Sequence, residues 1–228
     1  MVAFTGEHFV LSNTDAKIPA IGYGTGTKWY KYGRDEIDEK LVSNLVKAVD
    51  YGFVHIDGAE VYNTDSETGL ALKKIKKSRE SIWITNKYFA GDGSYKARST
   101  EANPYEAIKA GLKRLQIEYI DLYLLHAPFI KKETHGFSKV EAWKYLEKAY
   151  EEGLVKNIGV SNFSVEDLKE ILEEAKYKPQ VNQIEYSAYL QNQTPGIYDF
   201  AQENGILLEA YSPLAPLYKL SEEEKKTD

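Results

Sequence analysis

The chain has 228 residues, 43% of them hydrophobic and 28% charged, with a formal net charge of −6. That length suffices for one sizeable core, so one domain spanning 1–228 is expected, and the acidic balance excludes nucleic-acid binding through bulk charge. The absence of cysteine excludes disulfides, thiolate metal sites and cysteine nucleophiles, and fits a reducing compartment.

The opening MVAFTGEHFV lacks a basic segment followed by a long apolar one, and no later apolar run approaches the roughly 20 residues of a membrane helix. The expectation is a cytoplasmic protein with no membrane partner and no metal. HFVLSNTDAKIP then reads as a short hairpin with Asn13, Thr14 and Asp15 at its turn. Seven β-rich runs follow at 19–24, 53–57, 82–87, 120–125, 155–160, 180–184 and 206–211. Between them, apolar residues recur at helical spacing: Ile37, Leu41, Leu45 and Val49; Trp143, Leu146 and Tyr150; Val165, Leu168, Ile171 and Leu172. Ser164 and Asp167 have capping-box spacing, and Gly52, Gly153 and Gly205 stand where helices should stop. The basic clusters at 73–77 and 131–132 read as solvated faces.

Alternating strand and helix predicts βαβ units and a parallel sheet. The first strand ends GYGTGTKW, which lacks the GxGxxG spacing of doubly wound dinucleotide binders, so an α/β barrel of the (β/α)8 type is preferred. In such a barrel the chemistry stands at the C-terminal ends of the strands. Those ends here carry Thr25, Asp57, Lys87, His126, Ser161 with Asn162, Gln183, and Tyr211. Each has an ordinary structural reading alone; together they describe one site.

GFVHIDGAEVYNTDSETG, the ITNK strand, the LLHAP strand end and KNIGVSNF at 156–163 resemble the aldo-keto reductase family, NADPH-dependent reductases on the eight-fold barrel. The resemblance runs from about residue 8 to about residue 216. It implies a catalytic tetrad of Asp57, Tyr62, Lys87 and His126 and NADPH as cofactor. It implies that Ser161, Asn162 and Gln183 hold the nicotinamide carboxamide, that Tyr211 stacks on the ring, and that Thr25, Ser212 and Leu214 also contact the cofactor. A phenol with a pKa of about 10 needs a nearby cation to release its proton easily, which Lys87 could supply while Asp57 keeps Lys87 charged. His126 would polarise the substrate carbonyl together with Tyr62.

Trp29, Tyr30, Phe89 and Phe129 are expected as apolar walls of the substrate pocket. Ala127 stands where many members have tryptophan and is expected to widen it. GTGTKWYK and HAPF are similar to fungal members acting on α-keto amides, keto lactones and dicarbonyls. Val54 and Asp65 replace the family's usual arginine and glutamate.

After Leu214 the resemblance implies a further helix, an eighth strand, a basic clamp for a 2′-phosphate and a closing helix. YKLSEEEKKTD instead resembles the phrase that follows the eighth strand. The C-terminal part of the barrel is therefore expected to be absent from this sequence, with weak discrimination between NADPH and NADH. The expected activity is NADPH-dependent reduction of a small carbonyl compound to an alcohol by a monomer. The alternative is a non-catalytic nicotinamide-binding or interaction protein on the same fold.

Overall fold

The computed structural model describes residues 6–12, 14–94, 96–191 and 194–218. A hairpin, β1 (His8–Val10) and β2 (Lys17–Pro19), precedes the alternating array. The array runs β3 (Gly22–Gly24), α1 (Glu39–Asp50), β4 (His55–Asp57), α2 (Asp65–Lys74), β5 (Trp83–Tyr88), α3 (Pro104–Leu115) and β6 (Leu122–Leu125). It continues with α4 (Lys132–His135), α5 (Lys139–Glu151), β7 (Ile158–Ser161), α6 (Val165–Leu172), β8 (Val181–Glu185), α7 (Ile197–Asn204), β9 (Leu207–Tyr211) and α8 (Ala215–Tyr218).

Strands β3 to β9 form one sheet in sequential order, every neighbouring pair parallel. All seven expected strands are present, with starts one to three residues later than the apolar runs begin. Among the described residues β3 and β9 are not paired with each other, so the sheet is a barrel wall with two edges. The stretch 219–228, where the sequence resembles a later phrase of the family, and Asn13 of the expected hairpin turn lie outside the described residues.

Strand alternation separates two apolar layers. Ile56, Ile84, Tyr123, Leu125, Ile158 and Val160 pack with Leu45, Ile108, Leu146 and Leu168 of the helices. The opposite face of the sheet contributes Trp83, Leu122, Leu124 and Val181, closed by Leu11 and Ile18 of the hairpin. The hairpin is thus a plug in the barrel floor. Its loop is anchored by the Ser12 hydroxyl donating to the Gly205 carbonyl and the Thr14 hydroxyl donating to Asn157 Oδ1 at 2.8 Å.

Local signals explain the helix boundaries. Ser164 and Asp167 make the reciprocal capping box expected for α6, and Ser138 with Glu141 makes a second one at α5. Asp38 caps α1 by accepting from the backbone N–H groups of Lys40 and Leu41. That cap leaves Ile37 outside the helix and 40% exposed, whereas Leu41, Leu45 and Val49 are buried as expected. Gly205 ends α7 at φ 68°, a conformation that favours glycine.

Candidate active site

Three consecutive strand ends, those of β4, β5 and β6, and the turn after β4 build the centre of the barrel mouth. His55 and Asp57 on β4 lie in register beside Trp83 and Thr85 on β5, and Lys87 follows Thr85 by two residues, on the same face. Above the apolar floor the interior becomes polar layer by layer. His55 Nε2 and Thr85 Oγ1 are 2.8 Å apart, and burial pulls the His55 pKa down to about 4, which makes it neutral at physiological pH.

Lys87 is fully buried and donates to Asp57 Oδ1 and, at 2.8 Å, to the Gly58 carbonyl. Burial disfavours its charge, but Asp57, the Tyr62 oxygen and the Asp57 hydrogen bond together outweigh it and leave the ammonium above its ordinary range. A buried lysine with these partners stays charged.

Tyr62 reaches the same spot from the turn after β4, Glu60–Tyr62. Asn63, in the left-handed conformation at φ 57°, ends that turn. The Tyr62 hydroxyl lies 3.5 Å from His126 Nε2, the two rings cross edge-on at 80°, and Lys87 Nζ is 5.5 Å from the phenol ring centre. A Cβ on Gly26 would meet the Tyr62 ring at 2.9 Å, so glycine at 26 is what lets the phenol settle here. The sequence signal for Gly26 was present in GYGTGTKW but carried no reason to separate it from its neighbours.

The electrostatics differ in one respect from expectation. Burial raises the Tyr62 pKa more than Lys87 lowers it, and Asp57 adds to the rise, so the phenol is held above its ordinary value and is protonated at neutral pH. Lys87 moderates that rise without reversing it. His126 is pulled down to about 3 by burial and then by Lys87, so its imidazole is neutral.

The next strand ends are tied to these. The Ser161 hydroxyl donates to the Gln183 carbonyl at 2.8 Å. Asn162, at φ 61°, donates from Nδ2 to the His126 carbonyl at 3.0 Å and accepts from the Tyr211 hydroxyl at 2.9 Å. Gln183 Nε2 donates to Glu209 Oε1 at 2.9 Å and to Asp57 Oδ2 at 3.4 Å. Asp57, Gln183, Glu209, Tyr211, Ser212 and Leu214 all line one cleft of about 710 Å³ between the β3 and β9 edges.

Other expected residues stand elsewhere. Thr25 is fully buried, its hydroxyl donating to the Asp57 carbonyl at 3.3 Å and accepting from Thr64 at 2.9 Å, so it ties β3 to β4. Trp29 packs against the main core with 9% of its surface exposed, and Ala127 is buried there with 7% exposed. Tyr30 does face the site, its ring centre 5.8 Å from that of Tyr62. Phe89 is half-buried and its N–H donates to Glu60 Oε2 at 2.9 Å, while Phe129 is 38% exposed beside Gly93.

Sequence reading singled out Asp65 at a supporting position, in place of the family's usual glutamate, but missed its partners below this layer. Asp65 accepts from Asn86 Nδ2 at 2.8 Å and Arg114 Nε at 2.9 Å, fixing the start of α2 behind β5. Glu209 was also missed: on ILLEAY it looks like one polar residue in a strand. No cluster of three or more His, Cys, Asp or Glu able to hold a metal occurs among the described residues. No helix among them is long and apolar enough to cross a membrane.

The Aldo/keto reductase family profile matches residues 20–227. The chain is 49% identical over 224 residues to an NADPH-dependent alpha-keto amide reductase of Saccharomyces cerevisiae, covering 96% of this chain and 69% of that protein. It is 38% identical to an NAD/NADP-dependent indole-3-acetaldehyde reductase of Schizosaccharomyces pombe, over 89% of this chain and 68% of that one. A solved aldo/keto reductase of Brucella melitensis superimposes with a TM-score of 0.76 at 32% identity, covering 93% of this chain and 75% of that one. A Bombyx mori aldo-keto reductase solved in complex with NADP gives 0.75 at 26% identity, over 91% of this chain and 66% of that one. The chain thus spans about two thirds of the length of the curated relatives it matches. By sequence, strand order and superposition, this chain belongs to the aldo/keto reductase family.

Proposed function

We propose that this chain, acting as a single barrel domain, reduces a small carbonyl compound to an alcohol with NADPH, an alcohol dehydrogenase of the carbonyl reductase type. Tyr62 is the proton donor in this reading. The observation that carries it is the Tyr62 hydroxyl, protonated and 3.5 Å from a neutral His126 Nε2, above the buried Lys87–Asp57 pair.

Reduction of a carbonyl develops negative charge on its oxygen. With the neutral His126 as its Nε2–H tautomer, an oxygen seated beside the Tyr62 hydroxyl and His126 Nε2 meets two donors that need not move as that charge appears. As the proton leaves Tyr62, the phenolate forms beside the Lys87 ammonium, and the attraction grows because the site is poorly solvated. Asp57 holds Lys87 in place and charged. Tyr30 lies against the phenol and limits water on that side.

The residues present fit a nicotinamide. Ser161, Asn162 and Gln183 present a hydroxyl and two amides at adjacent strand ends, and the half-buried Tyr211 ring borders the cleft that Gln183 and Ser212 line. NADPH, when bound, supplies the hydride. Tyr211 would lie against the ring, Asn162 and Gln183 would orient its carboxamide, and Thr25, Ser212 and Leu214 would flank the remainder. The 49% identity to an alpha-keto amide reductase supports α-keto amides and related dicarbonyls as the first substrates to assay.

The test is Tyr62→Phe assayed with an α-keto amide and NADPH. Carbonyl reduction should fall on the order of 10²–10⁴-fold, the usual contribution of a positioned acid, while cofactor affinity measured by fluorescence stays nearly unchanged. Turnover within about threefold of wild type would remove Tyr62 from its assigned role.

A further inference from the structure

The centre of the site holds one buried ammonium, Lys87, and two part-buried carboxyl residues, Asp57 and Glu209. Lys87 gives its hydrogen bonds to Asp57 and the Gly58 carbonyl, and none to Glu209. Glu209 sits beside Gln183 in register on the interior face of β9 and receives one amide hydrogen bond, at Oε1. Its Oε2 is shielded from solvent and has no hydrogen-bond partner among the described residues. A carboxylate with one bare, desolvated oxygen is an unfavourable place for a second negative charge.

The groups that face Glu209 are few. Asp57 on β4 opposes its ionisation, while Lys87 on β5 and the hydrogen bond from the uncharged Gln183 on β8 favour it. His55, which lines the same cleft, is also neutral, and β3 contributes only Gly22 and Gly24 there.

We propose that Glu209 is a positioning residue that holds a proton at mildly acidic pH and gives it up near neutrality, beside the Asp57–Lys87 pair, with Gln183 as the link between the two carboxyls. The uncharged acid leaves Asp57 as the single anion paired with Lys87, so that the field of Lys87 is free to act on Tyr62. Burial, and then Asp57, push the Glu209 pKa up to about 7. As pH rises through that value, a second anion competes for Lys87 and opposes charge on the Tyr62 oxygen. Glu209 also sets the orientation of Gln183, since both amide protons of that side chain point to carboxyl oxygens. The functional part of this inference rests on the reductase reading; the protonation part does not.

Two measurements on the full chain test it. The first follows ¹³C-labelled glutamate side chains by NMR across pH. One carboxyl should titrate near pH 7, vanish in Glu209→Gln and persist in Glu60→Gln, the other glutamate whose burial raises its pKa. If Glu209→Gln does not fold, the Glu60→Gln spectrum assigns the signal by exclusion. No glutamate titrating above the ordinary carboxylate range, beyond Glu60, overturns the inference. The second compares kcat/KM for carbonyl reduction against pH. Wild type should lose roughly fivefold or more as pH rises through about 7, and the profile of Glu209→Gln, whatever its absolute level, should lack that limb. An identical limb in both proteins overturns the coupling to Lys87. Absence of any turnover in wild type would count against the reductase reading, and the NMR titration alone would then decide the protonation of Glu209.

Discussion

Strands β5 and β9 carry charged residues on the same face of one sheet, yet treat them differently. β5 has a neighbour on each side and all six of its residues are buried. Among the described residues β9 pairs with β8 alone, and none of its residues is buried. Lys87 in the middle of the sheet has two hydrogen-bond acceptors and keeps its charge, whereas Glu209 near the edge has one donor and a bare oxygen. What matters is less how deep a charged group sits than how many partners its neighbours bring. A central strand is approached from both sides, and an edge strand from one.

The sharpest way to break that contrast is to remove the central charge. Lys87→Met should lower carbonyl reduction on the order of 10²–10³-fold, the scale of losing one preorganised electrostatic group. It should also destabilise the fold by about 3 kcal/mol, because Asp57 is left without its counter-charge. Steady-state assays and urea unfolding read the two effects separately; near-normal turnover would mean that the pair serves packing alone.

A smaller effect comes from packing at the centre. A Cβ at Gly159 on β7 would lie 2.6 Å from the Val181 carbonyl oxygen and 2.8 Å from the Leu124 side chain. Gly159→Ala should therefore cost about 1–3 kcal/mol in denaturant unfolding, the range for overpacking a rigid site.

The pH dependence of stability sharpens the contrast through its sign. His55 is almost fully buried and its folded pKa of about 4 lies below the unfolded value of about 6.5. Between those values the unfolded chain binds more protons, so stability is lost as pH falls from about 6.5. At pH 5 the loss from His55 should approach roughly 2 kcal/mol, and His55→Asn should flatten the slope measured by urea unfolding across that range. Glu209 acts in the opposite sense, since a raised carboxyl pKa makes stability fall as pH rises from the ordinary carboxylate range toward 7.

The smallest effect is expected at the edge. Gly24 on β3 has ordinary backbone angles, and a Cβ there would meet nothing within 4 Å. Gly24→Ala should change stability by no more than about 0.5 kcal/mol. A cost matching that of Gly159→Ala would mean that the β3 edge is covered by something that packs as tightly as a neighbouring strand.

The seven strands were legible because buried parallel strands need continuous apolar runs, and the helix starts because Ser164 and Asp167 cap at a fixed spacing. Asp57, Lys87 and His126 were legible as candidates because a polar side chain at a strand end is conspicuous, and Tyr62 because the family resemblance implies it. Trp29 and Ala127 are ambiguous for a related reason. An aromatic or small residue near a strand end looks the same whether it lines a pocket or packs in the core, and here both pack in the core. Ser138 with Glu141 has the same capping spacing as Ser164 with Asp167 but was not singled out, so that miss lay in the reading and not in the chain.

What the sequence by itself determined were the features set by near neighbours along the chain: strand and helix periods, caps, the glycine stops, and which polar types stand at strand ends. Only the tertiary structure decided the protonation of the site and the places of Thr25, Trp29 and Glu209. The charge of a group depends on its burial and on partners from distant segments. Lys87 takes its state from Asp57 and Gly58, thirty and twenty-nine residues away, and Tyr62 faces His126 from sixty-four. Glu209 depends on Gln183 and Asp57 from two other strands. Those distances close only when the strands line up in register, so no local pattern in the chain could have specified the result.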